Sequence, residues 1–266
     1  MTARLTVFAS SDATTEGRIG QAVAALPVSL RPGGEDADLV GIAGGAGWAT
    51  AAARAIDAGA RGVLVVDPVP TDVSPLRASA VPVVLDGRWT YNPAVLDSVS
   101  AFSARNDGES LVEVRVDVPL GSDPQRVLVS QLALVRTAIA PLMELTFDRW
   151  NSRGWDARGT LESGAQVALC AILTNALEPA ASLRIIKPED AVRLTVTDPA
   201  TARPGQLIVS SPGGATLLVT KWESAHRVAW RTLHGLATTG RPGADLLGFE
   251  HDVDLVRRAL AASRAA

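Results

Sequence analysis

The chain of 266 residues is long enough for one large domain or two smaller ones, and 47% hydrophobic with 20% charged residues is typical of an ordered globular protein. The formal net charge is −3 and the basic residues are scattered, so charge gives no reason to expect binding to nucleic acid or to an anionic membrane.

The single cysteine, Cys170, excludes an intrachain disulfide and indicates a reducing compartment. The mixed first twenty residues predict no signal peptide, and no apolar run reaches the roughly 20 residues that span a bilayer. We therefore expect a cytoplasmic protein.

Short β-rich runs alternate with alanine-rich helical runs over the first part of the chain. Residues 49–58 predict a helix that ends at Gly59, a usual residue just after a helix. Four runs predict strands, at residues 5–9, 38–43, 62–66 and 81–85. Their hydrophobicity is continuous rather than alternating, which is typical of strands buried on both faces of a parallel sheet.

The second part of the chain has a different period. Residues 110–118 alternate strictly between apolar and polar side chains, which predicts a strand with one buried face. Residues 127–145 predict a long apolar helix, and residues 245–262 an amphipathic helix. Further strands are predicted between turn clusters at residues 159–174, 181–186, 191–196, 206–210 and 215–222. The order predicts a truncated Rossmann-like parallel-sheet α/β domain over residues 1–106, and an open, mainly antiparallel α+β sheet domain with a C-terminal helix over residues 107–266.

Several segments, in order, resemble the Gfo/Idh/MocA oxidoreductase family. Residues 38–68 are similar to its strand, alanine-rich helix ending at Ala-Gly, and second strand running into Glu-Lys-Pro. Residues 81–94, with Arg88-Trp89-Thr90-Tyr91-Asn92-Pro93, resemble its Arg-Phe-Asn-Pro turn. Residues 132–136 resemble its His-x-x-Asp-Leu-x-Arg helix, and residues 159–171 its strand with an Asn-Gly-Ala turn. The resemblance covers most of the chain and implies the two-domain fold of that family.

The segment that matches the family's cofactor-binding turn lacks its features. A dinucleotide site needs a glycine-rich first turn so that the backbone can approach the pyrophosphate. Residues 9–17 contain one glycine and two carboxylates, Asp12 and Glu16. Residues 28–34 also lack the acidic residue that would hold the ribose hydroxyls. We therefore expect no nicotinamide cofactor.

The positions that match the family's catalytic residues are also changed. The lysine of Glu-Lys-Pro falls on Asp67, the His-x-x-Asp pair falls on Ser130 and Ala133, and an upstream aspartate falls on Arg126. General acid–base catalysis needs a titratable group within hydrogen-bond reach of the reacting oxygen. The sequence therefore predicts that the hydride-transfer mechanism implied by the resemblance is lost.

Other features allow two interpretations each. Gly44-Gly45-Ala46-Gly47 before a helix could cradle a phosphate, but a tight strand-to-helix turn is the favoured interpretation, because the lysine and hydroxyl of a P-loop are missing. The spacing of the three histidines, at positions 226, 234 and 251, predicts no metal site. His226, close in sequence to Lys221 and Glu223, is the remaining acid–base candidate. Cys170 is interpreted as a core residue rather than a nucleophile.

The candidate ligand-binding residues are aromatic and polar side chains that follow predicted strands of the parallel sheet. Ligands of open α/β folds bind at such positions. We expect these residues to line an apolar cleft: Trp48, Trp89, Tyr91 and Asn92. Arg136 could face the same cleft, but pairing with a carboxylate is the favoured interpretation.

Three functions remain open. The first is a pseudo-oxidoreductase, an accessory or scaffold subunit in a bacterial, specialised biosynthetic pathway; the arginine-rich composition with only two lysines indicates a GC-rich bacterial genome. The second is a cofactor-independent lyase or isomerase that uses the predicted apolar cleft for its substrate. The third is an NAD(P)-dependent oxidoreductase with an atypical cofactor site. The resemblance implies a homo-oligomer or a catalytic partner protein bound through the second-domain sheet, whose exposed face is expected to carry Trp222 with valines and leucines.

Overall fold

The computed structural model describes residues 4–265 apart from Ala200 and Ala202. It divides the chain into two compact units. The first comprises Met1–Gly87 with Ala225–Glu250, and the second comprises Arg88–Ser224 with His251–Ala266. The sequence placed the boundary after residue 106, whereas the units divide at Gly87 and a later segment of the chain returns to the first unit.

The elements follow in chain order. The first stretch contains β1 (Leu5–Ala9), α1 (Ser11–Glu16), α2 (Ile19–Ala24), β2 (Leu30–Pro32), β3 (Leu39–Ala43), α3 (Trp48–Asp57), β4 (Gly62–Val66) and β5 (Val83–Asp86). The middle contains α4 (Pro93–Ser103), β6 (Leu111–Val118), α5 (Pro124–Ala138), β7 (Leu142–Asn151), β8 (Gly154–Leu161), β9 (Gln166–Leu173), β10 (Ala180–Ile186) and β11 (Ala191–Thr197). The last stretch contains β12 (Gln206–Ser211), β13 (Gly214–Leu217), α6 (Ala225–Thr239) and α7 (Asp245–Ala265). None of the described helices is both long and apolar enough to cross a membrane.

The first unit is built on a parallel sheet with strand order β2-β1-β3-β4-β5. All five residues of β4 are buried, as the continuous hydrophobic run predicted for a strand covered on both faces. Helix α6 packs on β4 and β5. A Cβ on Gly62 would lie 2.8 Å from a methyl carbon of Leu233, so the missing side chain of β4 lets this helix approach closely.

The second unit is built on an eight-stranded sheet with strand order β13-β12-β11-β10-β6-β9-β8-β7. All neighbours are antiparallel except β6 and β9, which are parallel. Helices α4 and α5 pack on this sheet. The strict alternation of β6 buries Val112, Val114 and Val116, and it confirms the predicted strand with one face on the core. The two-unit α/β and α+β architecture predicted from the sequence is therefore confirmed.

Three predicted elements of the second unit have different bounds. The helix predicted at residues 127–145 ends at Ala138, and β7 begins at Leu142, because hydrophobicity alone does not separate a buried helix from a strand. The strand predicted at residues 159–174 is two strands, β8 and β9, joined by a turn around Gly164 with a φ of 85°. The last predicted strand ends at Leu217 rather than at Trp222.

The prediction of an apolar exposed sheet face is wrong. That face of the second unit carries ion pairs between neighbouring side chains instead: Arg115 with Asp117, Arg149 with Asp156, Arg158 with Asp148, and Arg184 with Glu113. Trp222 is 79% exposed but follows β13 outside the sheet. The strict alternation of apolar and polar residues in β6 places its four valines on the buried face and its charged residues on the exposed one.

Candidate functional site

The candidate site is the carboxyl-terminal edge of the parallel sheet in the first unit. The strand order reverses between β1 and β3, which defines a topological switch point. In open α/β sheets, ligands bind outside the carboxyl ends of the strands at such a point. The residues that leave β1, β3, β4 and β5 at this edge are Ser10, Gly44, Asp67 and Gly87.

The turn after β1 is capped by the side chain of one of its own residues, Ser10. The hydroxyl of Ser10 accepts a hydrogen bond of 3.3 Å from the amide of Ala13, and Asp12 lies in the first turn of α1. Helix α1 stops after six residues, and Arg18, with a φ of 47°, separates it from α2. Gly17 lies against Val66 of β4, where an added Cβ would come within 2.6 Å of a methyl carbon. This edge therefore presents a hydroxyl-capped, acidic turn in place of a glycine-rich one.

The turn after β3 is held against the segment that follows β4. The amide of Gly44 donates to the carbonyl of Val66 at 2.7 Å, and the amide of Val69 donates to the carbonyl of Gly44 at 2.7 Å. A Cβ on Gly44 would lie 2.6 Å from the carbonyl oxygen of Asp67 and closer still to other backbone atoms. Gly47 has a φ of 80° and begins α3. These contacts support the interpretation of this loop as a tight strand-to-helix turn.

Two aspartates lie side by side where β4 and β5 end. Asp67 has a φ of 45°, and its amide donates to the carbonyl of Asp86 at 2.9 Å. One carboxylate oxygen of Asp67 is buried. Asp86 is the last residue of β5, and its side chain is 1% exposed. The edge thus carries two carboxylates at adjacent strand ends.

His226 binds the second of these carboxylates. Its Nδ1 lies 2.6 Å from Oδ2 of Asp86, and its side chain is 9% exposed. A carboxylate accepts a hydrogen bond from Nδ1–H, and this contact favours the tautomer in which Nδ1 carries the proton. His226 is the second residue of α6, and the packing of α6 on β5 brings the two side chains together.

The carboxylate that lies against Nδ1 of His226 comes from a distant part of the chain. Lys221 pairs with Asp97 at 2.7 Å, within the second unit. Asp86 lies 140 positions away from His226 in the chain, and its only sequence signal is its place at the end of an apolar run. The sequence therefore indicated His226 as an acid–base candidate, but it did not indicate that Asp86 is the carboxylate in contact with it.

The predicted ligand-binding residues belong to two units. Trp48, in the first unit, is 1% exposed; its Nε1 donates to the carbonyl of Val69 at 2.9 Å and its ring meets Phe249 edge to face. Trp89, in the second unit, is fully buried, with the Arg88 guanidinium 5.3 Å from its ring centre.

The other two predicted ligand-binding residues belong to the second unit. Asn92 caps α4 by accepting a hydrogen bond of 3.0 Å from the amide of Ala94. Tyr91 is half-buried. Trp48 and Asn92 thus have structural roles within their own units, and the cleft remains a prediction.

Comparisons with known proteins place this geometry in a fold. No protein-family model and no curated protein matches the chain. A crystal structure of a mutant of KijD10, a 3-ketoreductase from Actinomadura kijaniata in complex with TDP-benzene and NADP, matches with a TM-score of 0.73 and 14% identity over 97% of this chain and 98% of that one. UDP-N-acetylglucosamine 3-dehydrogenase GnnA from Acidithiobacillus ferrooxidans matches with a TM-score of 0.72 and 14% identity over the same shares. The dehydrogenase MviM from Clostridium difficile matches with a TM-score of 0.63 and 7% identity over 98% of this chain and 99% of that one. The chain has the two-domain fold of the Gfo/Idh/MocA oxidoreductases.

Within this Gfo/Idh/MocA fold, the residues that match the family's catalytic motifs occupy different places. Asp67 lies at the sheet edge of the first unit, whereas Ser130 and Ala133 lie on α5 of the second unit, with Ser130 buried. The predicted pairing of Arg136 is confirmed, since its Nε lies 3.0 Å from Oδ2 of the buried Asp252. Neither Ser130 nor Ala133 supplies a group that exchanges a proton near neutral pH.

The remaining candidates of the sequence have ordinary surroundings. Burial raises the pKa of the Cys170 thiol, which disfavours the reactive thiolate. Burial lowers the pKa of His234, and His251 Nε2 lies 2.7 Å from the carbonyl oxygen of Leu142. Among the described residues, no group of three or more histidine, cysteine or acidic side chains is placed to hold a metal ion.

Proposed function

We propose that the chain is a pseudo-oxidoreductase. It keeps the Gfo/Idh/MocA fold, does not bind a nicotinamide, and serves as an accessory or scaffold subunit in a bacterial biosynthetic pathway. The observation that carries this proposal is the turn after β1. There the Ser10 hydroxyl accepts a hydrogen bond from the amide of Ala13 in α1, and α1 ends after six residues. A pyrophosphate needs free backbone amides and close approach at this turn.

Electrostatics at the same edge support the proposal. Asp12 lies in the first turn of α1, and Asp67 lies at the position that resembles the family's lysine. A carboxylate close to a phosphate raises its energy, because like charges repel. Carboxylates at these two positions therefore favour weaker binding of a dinucleotide.

Calorimetric titration with NADH and NADPH tests this proposal. We expect no saturable binding up to about 1 mM for the wild-type protein. Asp12→Asn with Asp67→Asn removes the two negative charges and leaves the Ser10-capped turn in place, so any weak binding that this double variant gains measures the electrostatic contribution alone. A dissociation constant in the low micromolar range for the wild type would overturn the proposal and favour an NAD(P)-dependent enzyme with an atypical site.

The names of the similar structures support a setting in carbohydrate biosynthesis. KijD10 is described as a 3-ketoreductase crystallised with TDP-benzene, and GnnA as a UDP-N-acetylglucosamine dehydrogenase. An accessory subunit of such a pathway would act as a homo-oligomer or bound to a catalytic partner. The ion-paired exposed face of the second-unit sheet would then form a polar interface rather than an apolar one.

A second candidate function is a nicotinamide-independent acid–base enzyme of the lyase or isomerase type. The observation that favours it is the buried pair of His226 and Asp86 at the ligand-binding edge of the sheet. An accessory subunit has no need of such a pair.

A further inference from the structure

We propose that a cavity on the exposed face of the second-unit sheet binds a phosphorylated polyhydroxyl compound such as a sugar phosphate. Two arginines and two hydroxyl groups of β10 and β11 would hold the phosphate. The inference goes beyond the proposed function, because it uses neither the sheet edge of the first unit nor a nicotinamide. It depends on side chains of the second unit alone.

The cavity is a depression in the middle of the sheet face. Its volume is about 590 Å³, which lies within the range of small-molecule sites. The short side chains of Ala168 and Cys170 on β9 line it. In the strand register, Ala168 lies between Glu113 of β6 and Arg158 of β8. The longer charged side chains on both neighbouring strands therefore leave a hollow above β9.

One end of the cavity consists of hydrogen-bond donors. Arg193 of β11 lies directly opposite Arg184 of β10, and Thr195 lies directly opposite Ser182, two residues further along the same face. All four side chains line the cavity. Side chains directly opposite each other on one sheet face have Cβ atoms about 5 Å apart, so the four groups form a compact cluster. Guanidinium groups and hydroxyls of this kind bind phosphate oxygens.

Arg193 is the exception among the arginines that line the cavity. The other three each pair with a carboxylate, as Arg184 does with Glu113, whereas Arg193 is exposed and has no acidic partner among the residues that the structure describes. Its neighbour on the other side is Ile208 of β12. Like charges directly opposite each other destabilise a sheet. A bound dianion would relieve this repulsion, because each guanidinium can donate two hydrogen bonds to it.

The other end of the cavity has the opposite charge. Asp148 of β7 and Asp156 of β8 line it, and β8 is three strands away from β10, which is about 14 Å at the usual strand spacing. These carboxylates would repel a second phosphate. They pair with Arg158 and Arg149, and their remaining lone pairs can accept hydrogen bonds from hydroxyl groups. The charge pattern therefore fits a ligand with a phosphate at one end and uncharged hydroxyls at the other.

The test is calorimetric titration of the full-length protein with glucose 6-phosphate, glucose and inorganic phosphate. For glucose 6-phosphate we expect saturable binding with a dissociation constant of about 1 mM or tighter, and an affinity about tenfold above that for inorganic phosphate. Glucose, which lacks the anion, should not bind measurably. Arg193→Gln should weaken binding of glucose 6-phosphate at least about tenfold, because it removes hydrogen bonds to a charged group. Thr195→Val keeps the shape of the side chain without its hydroxyl and should weaken binding about threefold.

The matched control is Arg153→Gln. Arg153 lies in the turn between β7 and β8 and is not among the residues that line the cavity, so this variant removes the same charge from the same sheet. It should bind glucose 6-phosphate as the wild type does. Equal weakening by Arg153→Gln and Arg193→Gln would indicate general attraction to a cationic surface and would overturn the inference.

Three other results would also overturn it. The first is no saturable binding of glucose 6-phosphate, and the second is equal affinity for glucose 6-phosphate and inorganic phosphate, because the hydroxyl end would then contribute nothing. The third concerns a second copy of the chain on this face. If light scattering shows a smaller mass for Arg193→Gln while phosphate binding is unchanged, the face is an interface between copies and not a ligand site.

The outcome can be separated from that of the nicotinamide titration. NADPH carries phosphate groups that this cavity could bind, so its titration is repeated with Arg193→Gln. Binding of NADPH that persists in this variant counts against the pseudo-oxidoreductase proposal and leaves the sugar phosphate result standing. Binding of NADPH that is lost in Arg193→Gln and kept in Arg153→Gln supports the cavity as the phosphate site.

Discussion

The buried ion pair of Arg136 and Asp252 gives a prediction about stability that depends on pH. The Asp252 side chain is 1% exposed in the second unit, and its Oδ2 lies 3.0 Å from Nε of Arg136, whose side chain is 22% exposed. Burial raises the pKa of Asp252 to about 6, from an ordinary value of 3.8, even though Arg136 and His251 act in the opposite direction. Desolvation of the carboxylate therefore outweighs its attraction to the guanidinium.

The direction of the effect follows from proton binding. Between pH 3.8 and about 6, the folded protein keeps the Asp252 proton that the unfolded chain releases. The contribution of Asp252 to the free energy of unfolding is therefore fully present below about pH 4 and is lost as the pH rises through 6. At 1.36 kcal/mol for each pH unit, the loss is about 3 kcal/mol.

The variant Asp252→Asn keeps the shape of the neutral carboxyl group without its ionisation. We expect it to match the wild type near pH 4 and to exceed it by about 2–3 kcal/mol at pH 7.5 in urea unfolding. Taking the difference between the two proteins at each pH cancels the groups that titrate in both. Asp254→Asn, on the exposed side of the same helix and 2.8 Å from Arg257, is the control and should change stability by less than about 0.5 kcal/mol. A pH-independent difference, or a variant less stable than the wild type at pH 7.5, would refute the reasoning.

Two further predictions concern the second unit. The Gln131 amide is fully buried, donates to the carbonyls of Val114 at 3.2 Å and Cys170 at 3.1 Å, and accepts from Trp155 Nε1 at 2.9 Å. Gln131→Leu should therefore lower the free energy of unfolding by about 2–4 kcal/mol, measured in urea, and a loss below 1 kcal/mol would contradict this role. Light scattering should return a multiple of 27.6 kDa or a complex with a partner; a mass of 27.6 kDa at all concentrations with no co-purifying protein would contradict the expected association.

The parallel sheet could be predicted because its signal is local. Each buried strand is a continuous apolar run bounded by turn residues, and β4 has that pattern with all five residues buried. Helix α6 was not predicted, and neither was its place in the first unit, because that place depends on tertiary structure. The chain enters the second unit at Arg88 and returns at Ala225, and neither crossing has a linker composition that marks it. A boundary inferred from a change in hydrophobic period therefore fell near residue 106, after α4 rather than before it.

The chemistry of the sheet edge could be predicted only in part for the same reason. The sequence placed Asp67 at the position that resembles the family's lysine, because that position follows a recognisable strand. It did not reveal His226 on Asp86, because the two residues meet only when α6 returns to the first unit. A lysine at position 67 would be a permanent cation beside the end of β5, whereas the structure instead places a titratable imidazole against the Asp86 carboxylate. An imidazole exchanges protons near neutral pH and a lysine ammonium ordinarily does not. The carboxyl-terminal edge of the sheet therefore carries Asp67 at the end of β4 and a histidine–carboxylate pair at the end of β5, and only the first of these could be recognised before the chain was folded.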